Sequence, residues 1–195
     1  MTIAIWDSGW LVDARRCPSP NFSSRPVGCT VELAVVHSIS LPPGEYGGDA
    51  IERLFTNRLD WNAHPYYAEI RGIEVSAHFL IRRDGEAVQF VSCDDRAWHA
   101  GDSVWRARAQ CNDFSVGIEL EGLEGSSFAA AQYTALGAVL RALAVRYPIV
   151  AVAGHEHVAP GRKKDPGPGF DWSRLAASAG WPKERFRDVF AAESK

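Results

Sequence analysis

The sequence lacks the features that predict a membrane or secreted protein. No run of about 18 apolar residues occurs, so no membrane-spanning helix is predicted. The first ten residues, Met1 to Trp10, contain Asp7 and lack the basic region that opens a secretory signal peptide. We therefore expect a protein of the cytoplasm that has no membrane as a partner.

An excess of positive charge is also missing. The chain has 21 Lys and Arg residues against 24 Asp and Glu residues, which gives a net charge of -3. Proteins whose main partner is a nucleic acid usually carry a basic patch or stripe, so no nucleic acid is predicted to bind. No repeat, low-complexity tract or linker interrupts the 195 residues. That length suffices for one core, and we predict one domain over residues 1–195.

Closely spaced cysteines are absent as well. The four cysteines, at positions 17, 29, 93 and 111, form no C-x-x-C motif. Disulfide bonds are rare in cytoplasmic proteins, so none is predicted. We expect these cysteines to fill small apolar spaces.

Strand-like and helix-like patterns are present along most of the chain. Tyr133, Leu136, Leu140 and Leu143 recur at helical spacing, and Asp84-Gly85 separates two strand-like runs as in a β-hairpin. Strands are predicted at residues 31–37, 75–82, 86–92, 114–120 and 149–153, and helices at 49–55, 129–147, 171–179 and 182–192. This mixture predicts an α/β domain with a mixed central sheet and flanking helices.

The stretch around which these elements are arranged lies near the end of the chain, at residues 154–170. It contains three prolines and four glycines and is predicted to be a stiff loop. The loop carries His155, His157, Lys163, Lys164 and Asp165. These side chains can bind metals or transfer protons, and functional residues are often found on loops held by a rigid scaffold.

A catalytic zinc site needs three protein ligands and one open position. His37 lies at the end of a predicted strand and is one candidate ligand. His155 and His157 would face the same way on an extended chain, and Asp165 can be reached by a looped chain. From the chemistry alone, the ligands are either His37, His155 and His157, or His37, His155 and Asp165.

Several segments of the sequence, taken together and in order, resemble one enzyme family. The similarity extends from about residue 9 to residue 172. The segments are V-V-H-S-I-S-L-P-P-G at 35–44, V-S-A-H-F-L-I at 75–81, W-H-A-G at 98–101 and C-N-D-F-S-V-G-I-E-L-E-G at 111–122. They resemble the AmpD-like 1,6-anhydro-N-acetylmuramyl-L-alanine amidases, a branch of the zinc amidase group that includes the peptidoglycan recognition proteins.

This resemblance implies roles for individual residues. The zinc ligands would be His37, His155 and Asp165, although His157 stands where the family usually has Asp, which keeps the alternative ligand set open. Glu119 would activate water, and a carboxylate within an apolar strand suits a general base. Glu121 points the same way along the strand and stays an alternative. Lys163 would stabilise the oxyanion, with Lys164 as its alternative.

The implied fold is the single-domain amidase fold of the peptidoglycan recognition proteins. The implied reaction is zinc-dependent hydrolysis of the amide between 1,6-anhydro-N-acetylmuramic acid and L-alanine in cytoplasmic muropeptides. That reaction belongs to cell-wall recycling and affects β-lactamase induction indirectly. The substrate would be a small anhydro-muropeptide, with no protein partner evident. The alternatives are a phage-type or envelope-type amidase that acts on intact peptidoglycan, and a muropeptide-binding module without catalysis.

Overall fold

A computed structural model of the chain describes residues 5–192. The first four and last three residues, which the one-domain prediction also includes, lie outside the described part. Its strands are β1 (Trp6–Asp7), β2 (Trp10–Leu11), β3 (Arg15–Arg16), β4 (Phe22–Ser24), β5 (Leu33–Ile39), β6 (Phe79–Ile81), β7 (Ala87–Gln89), β8 (Asp95–Ala97), β9 (Val104–Trp105), β10 (Arg108–Ala109), β11 (Ser115–Glu121) and β12 (Ala151–Gly154).

A six-stranded mixed sheet forms the centre of the molecule. Its strand order is β12-β5-β11-β6-β7-β3. The four strands β12, β5, β11 and β6 run parallel to one another, whereas β7 is antiparallel to β6 and parallel to β3. The predicted mixed sheet is therefore confirmed. The hairpin predicted at Asp84-Gly85 is also confirmed, because it joins β6 to β7.

Helices cover the sheet on both faces. They are α1 (Ala50–Phe55), α2 (Pro65–Glu69), α3 (Ala130–Arg146), α4 (His155–Val158), α5 (Trp172–Ala179) and α6 (Arg187–Ala192), with short 3₁₀ turns at Cys111–Asp113 and Lys183–Phe186. Residues 5–192 include no helix that is both long enough and apolar enough to cross a bilayer.

The long helix α3 packs on one face of the sheet, together with α5. The predicted spacing is confirmed, because Tyr133, Leu136, Leu140 and Leu143 are all buried in this core. Burying a leucine of this kind contributes roughly 1.5–3 kcal/mol. Gln132 fixes the start of α3, since its amide donates to the carbonyls of Ile81 and Glu121, which end β6 and β11.

The opposite face of the sheet carries the polar side chains of interest. Along β5, Ala34 and Val36 join the α3 core, whereas Leu33 and Val35 belong to a separate cluster on the other side. His37 shares the face of Leu33 and Val35, because side chains alternate along a strand. Glu119 of β11 is the register partner of His37. The parallel pairing of β5 and β11 therefore places these two side chains next to each other.

Most element predictions hold to within a few residues, but some are wrong. The strands predicted at 75–82 and 86–92 shorten to Phe79–Ile81 and Ala87–Gln89. Helix α2 was not predicted. The loop predicted at 154–170 begins with the helical turn α4, because the ring of His157 accepts the backbone N–H of Gly154 and closes that turn.

Two of the four cysteines fill small apolar spaces as the sequence predicts, whereas Cys17 and Cys29 are only partly buried. All four are free. Cys93 and Cys111 are buried, and burial raises the pKa of the Cys93 thiol, so this side chain stays neutral and packs as a small apolar group.

Candidate functional site

Three side chains converge near the carboxyl ends of the central strands. His37 lies in β5, His155 begins α4 directly after β12, and Asp165 lies on the loop that follows. Nδ1 of His37 is 3.0 Å from Nδ1 of His155, and Oδ2 of Asp165 is 3.2 Å from the first and 3.1 Å from the second. This is the one cluster among the described residues whose geometry could hold a metal ion.

The nitrogen and oxygen atoms of this cluster are arranged as ligands of a cation. Nε2 of His155 lies 3.1 Å from the carbonyl oxygen of Ala100. A carbonyl can only accept, so Nε2 carries the proton and Nδ1 of neutral His155 keeps its lone pair. Two ligands of a tetrahedral zinc ion lie roughly 3.3 Å apart, given bond lengths of about 2.0–2.1 Å. The spacing of the three atoms is close to that value.

The charge states around the cluster also suit a metal. Burial, together with the neighbouring His155, lowers the pKa of His37 to about 4, so the ring is neutral at pH 7. Burial acts to raise the pKa of Asp165, but His155 and His37 within hydrogen-bond distance outweigh it and leave the pKa well below its usual range. The cluster therefore offers a carboxylate and a neutral imidazole at neutral pH.

His157 lies outside this cluster. The prediction that His155 and His157 face the same way is wrong, because residues 155–158 form a helical turn in which alternate side chains point roughly 200° apart. The ring of His157 accepts the N–H of Gly154 at 3.0 Å and packs edge-on against Trp172. This geometry favours the ligand set that contains Asp165.

Glu119 lies beside the cluster, in the same cleft. Its Oε2 atom is enclosed and has no hydrogen-bond partner within residues 5–192. Burial raises the pKa of Glu119 well above its usual value, the Asp165 carboxylate raises it further, and the Lys163 ammonium opposes both. A carboxyl group that is short of hydrogen bonds, and whose pKa is raised by burial, has the properties of a general base that can later act as a general acid.

Glu121 occupies a different environment, although it points to the same side of β11. Its oxygens accept hydrogen bonds from the backbone N–H groups of Gly47 and Arg83, and Arg82 forms an ion pair with it. Arg82, which precedes the turn at Asp84-Gly85, is largely enclosed. Glu121 is fully engaged in holding the neighbouring loops, which makes Glu119 the better candidate base.

The loop that carries Lys163 and Asp165 is attached to the segment that follows Trp98. Arg162 donates to the carbonyl oxygens of Ala100 and Asp102, each at 2.6 Å. The backbone carbonyl of Asp165 accepts the N–H of Glu156 at 2.9 Å. Lys163 and Lys164 both line the cleft and are exposed, so their positions alone do not separate the two lysines.

The cluster lies in a cleft of about 690 Å³. Small-molecule sites commonly have this size. Apolar side chains form much of the wall beyond the cluster, notably Leu41, Tyr66, Ile70, Ile73, Val75 and Trp98. The cleft can therefore contact both the polar reacting group and the less polar parts of a substrate.

His99 has no individual role in the sequence analysis, but the structure places its ring against that of His37. Nδ1 of His99 is 2.9 Å from Nε2 of His37. The W-H-A-G segment was the available signal, but a position 62 residues away in the chain does not reveal contact with His37. His78 is buried and accepts the N–H of Gly117.

Comparison with known proteins agrees with this geometry. The N-acetylmuramoyl-L-alanine amidase family, Amidase_2, matches residues 27–168. The 1,6-anhydro-N-acetylmuramyl-L-alanine amidase AmpD of Citrobacter freundii is 57% identical over 173 residues, which are 88% of this chain and 92% of the relative.

Two solved structures are also similar. The crystal structure of a selenomethionine derivative of AmpD superimposes with a TM-score of 0.87 at 56% identity, over 89% of this chain and 98% of that one. The amidase AmiD from E. coli, in complex with the substrate anhydro-N-acetylmuramic acid-L-Ala-D-γ-Glu-L-Lys, has a TM-score of 0.56 and 26% identity over 92% of this chain and 66% of that one. With its mixed sheet and cleft, the chain belongs to the N-acetylmuramoyl-L-alanine amidase family.

Proposed function

We propose that this amidase uses zinc to hydrolyse the bond between 1,6-anhydro-N-acetylmuramic acid and L-alanine in soluble muropeptides. The observation that carries the proposal is the convergence of His37, His155 and Asp165 within 3.2 Å of one another, next to Glu119 in the cleft. The predicted place of this reaction is the cytoplasm, as a step of cell-wall recycling. Its predicted effect on β-lactamase induction is indirect.

His37, His155 and Asp165 would hold the zinc ion and leave a fourth position open. When bound, zinc supplies a Lewis acid that polarises the scissile carbonyl and lowers the pKa of water. Two histidine nitrogens and one carboxylate are a ligand set that catalytic zinc commonly has.

Glu119 would transfer the proton. Its carboxylate removes a proton from the attacking water as the oxygen bonds to the amide carbon. The same carboxyl group then gives that proton to the nitrogen of L-alanine as the carbon–nitrogen bond breaks. The products are the lactyl carboxylic acid of the sugar and a peptide with a free amino group. A pKa raised by burial suits both steps, because the group must gain and lose a proton in one cycle.

Lys163 would stabilise the negative charge that develops on the carbonyl oxygen. The proposal is supported by its charge, which is close enough to Glu119 and His37 to lower the pKa of both. An exposed lysine can approach a bound substrate without first breaking an ion pair, and no ion pair of Lys163 is found within residues 5–192. The role is that of an oxyanion-hole donor.

Replacing Lys163 with Ala is expected to lower kcat by about 10²–10³-fold, because the oxyanion loses a preorganised cation. Zinc content should be unchanged, since all three proposed ligands remain. Lys164→Ala is the matched control and should keep kcat close to that of the wild type. Steady-state kinetics and metal analysis of both variants decide the matter. Equal losses in the two variants would remove the specific role of Lys163.

The substrate proposal predicts a preference that can be measured directly. Anhydro-muropeptide, reducing muropeptide and purified sacculi are supplied at equal molar amounts of the scissile bond. The anhydro form is expected to exceed the reducing form in kcat/KM by at least about tenfold, because small differences in a shaped pocket commonly change kcat/KM by that much. Peptide release from sacculi should be slower still.

The same competition tests the two alternatives. A preference for sacculi, or equal rates on all three substrates, would assign the protein to the phage-type or envelope-type amidases. Binding of muropeptide without hydrolysis by the zinc-loaded protein would indicate the non-catalytic binding module.

A further inference from the structure

A chain of hydrogen bonds extends from the back of His37 into the core of the protein. Nε2 of His37 is 2.9 Å from Nδ1 of His99. Nε2 of His99 is 3.2 Å from Oγ of Ser115, and that hydroxyl donates to the backbone carbonyl of Cys111 at 2.5 Å. Ser115 and Cys111 are buried, so the far end of the chain is held by the core.

The direction of each hydrogen bond in this chain follows from its last acceptor, the backbone carbonyl of Cys111. The Cys111 carbonyl cannot donate, and the single proton of the Ser115 hydroxyl is used there. Oγ of Ser115 therefore accepts from Nε2–H of His99, which leaves Nδ1 of neutral His99 as an acceptor. That atom accepts Nε2–H of His37. The Nδ1 lone pair of His37 then faces His155 and Asp165, as a metal ligand must.

The surroundings of His99 are shaped for its ring. A Cβ atom at Gly117 would lie 2.3 Å from Cγ of His99, so only glycine fits at this position of β11 while the ring stays in place. The buried side chain of Asn112 fixes the backbone, since its Oδ1 accepts the N–H groups of His99 at 3.2 Å and Ala100 at 2.8 Å.

The same short segment also orients the second histidine. The carbonyl of Ala100, next to His99, accepts Nε2–H of His155 at 3.1 Å. Residues 99 and 100 thus accept one hydrogen bond from each histidine of the cluster. The His99 ring accepts Nε2–H of His37, and the Ala100 carbonyl accepts Nε2–H of His155.

We propose that His99 is a positioning residue of the metal site, which holds His37 by its Nε2–H so that Nδ1 is directed at the metal. This inference rests on the proposed function, because it assigns His99 a purpose only if zinc binds at His37, His155 and Asp165. Groups that hydrogen-bond to metal ligands in this way typically contribute 10–100-fold to metal affinity. His99 does not touch the substrate or the reacting atoms in this proposal.

A pair of substitutions at His99 separates positioning from packing. His99→Asn keeps an acceptor oxygen near the place of Nδ1 and should bind zinc within about tenfold of the wild type, since an outer-shell bond is retained. His99→Leu keeps apolar volume but offers no acceptor, and should bind zinc about 10–100-fold more weakly. Zinc affinity is measured by competition with a chelator, and thermal unfolding of the metal-free proteins checks that both fold.

A second measurement uses the unaltered protein and does not depend on the folding of any variant. In the zinc-loaded wild type, nuclear magnetic resonance should detect a nitrogen–nitrogen coupling across the hydrogen bond from Nε2 of His37 to Nδ1 of His99. The ring proton on His37 should exchange slowly with solvent.

The outcomes distinguish this inference from the proposed function. Wild-type protein that binds no zinc, or hydrolyses muropeptide equally well without it, contradicts the proposed function itself. Wild-type protein that binds zinc, with equal affinities in the Asn and Leu variants or no coupling between the two rings, contradicts the role of His99 alone.

Discussion

Replacing Asp165 with Ala is expected to abolish zinc binding and hydrolysis together, whereas His157→Ala should keep both. The Asp165 oxygen lies 3.1 Å and 3.2 Å from the two histidine nitrogens and supplies the negative charge of the cluster. Without it, only the two histidine ligands remain, and zinc affinity should fall by more than the 10–100-fold typical of groups outside the ligand set. Nδ1 of His157 accepts the N–H of Gly154, and His157 is not among the described residues whose ligand atoms converge.

Metal titration of both variants, with activity measured in parallel, tests this expectation. In the wild type, a chelator should remove activity and added zinc should restore it. His157→Ala is expected to lower stability by about 0.5–1.5 kcal/mol, because one hydrogen bond of the α4 turn is lost. Loss of zinc by the His157 variant and retention by the Asp165 variant would establish the alternative ligand set.

The second large effect concerns Glu119. Glu119→Gln is expected to keep zinc and lower kcat by about 10²–10⁴-fold, because the amide cannot carry the proton between water and the leaving nitrogen. Glu121→Gln is the matched control two residues away on the same side of β11. It should retain kcat but lose about 1–3 kcal/mol of stability, since the Arg82 and Arg83 contacts are weakened. Near-normal kcat in Glu119→Gln would exclude the proposed base.

The difference in stability between metal-free Glu119→Gln and the metal-free wild type should change with pH in a defined direction. Folding raises the pKa of Glu119 well above its ordinary value of 4.5, so between these two pKa values the folded state holds a proton that the unfolded chain releases. Wild-type stability therefore contains a component that is lost as the pH rises above about 4.5 towards the folded-state pKa. Gln does not titrate, so metal-free Glu119→Gln should gain stability relative to metal-free wild type as the pH rises. Denaturant unfolding at pH 4 and pH 8 measures the change, and a constant difference would contradict it.

The sequence predicted those helices and turns that are specified by residues close together in the chain. Helix α3 was predicted from the spacing of Leu136, Leu140 and Leu143, and the β6–β7 hairpin from Asp84-Gly85, because both signals act within a few residues. Helix α2 was missed because its five residues are too few for a periodic signal, and His64 and Pro65 at its start are weak evidence on their own.

The candidate site was less predictable because it is assembled from distant parts of the chain. Spacing could not choose between Asp165 and His157, since one helical turn at residues 155–158 reverses the direction of the second histidine. Alternation along β11 could not choose between Glu119 and Glu121. That choice depends on Arg82, which reaches Glu121 from another strand end. The hydrogen bond from His37 to His99 likewise exists only after β5 and the W-H-A-G segment have come together.

The pairing of β5 with β11 has a consequence for how such an amidase can diversify. His37 and Glu119 occupy facing positions of one parallel ladder, in which neighbouring strands are held about 4.8 Å apart. Their separation is a property of the backbone hydrogen bonds and does not depend on the loops that form the cleft walls. Insertions or substitutions near Leu41, Tyr66 or Ile73 can therefore change which sugar or peptide is accepted, while the distance between the proposed metal ligand and the proposed base stays constant. Directed evolution of new substrate ranges should accordingly accumulate changes in these walls and leave the two strands intact.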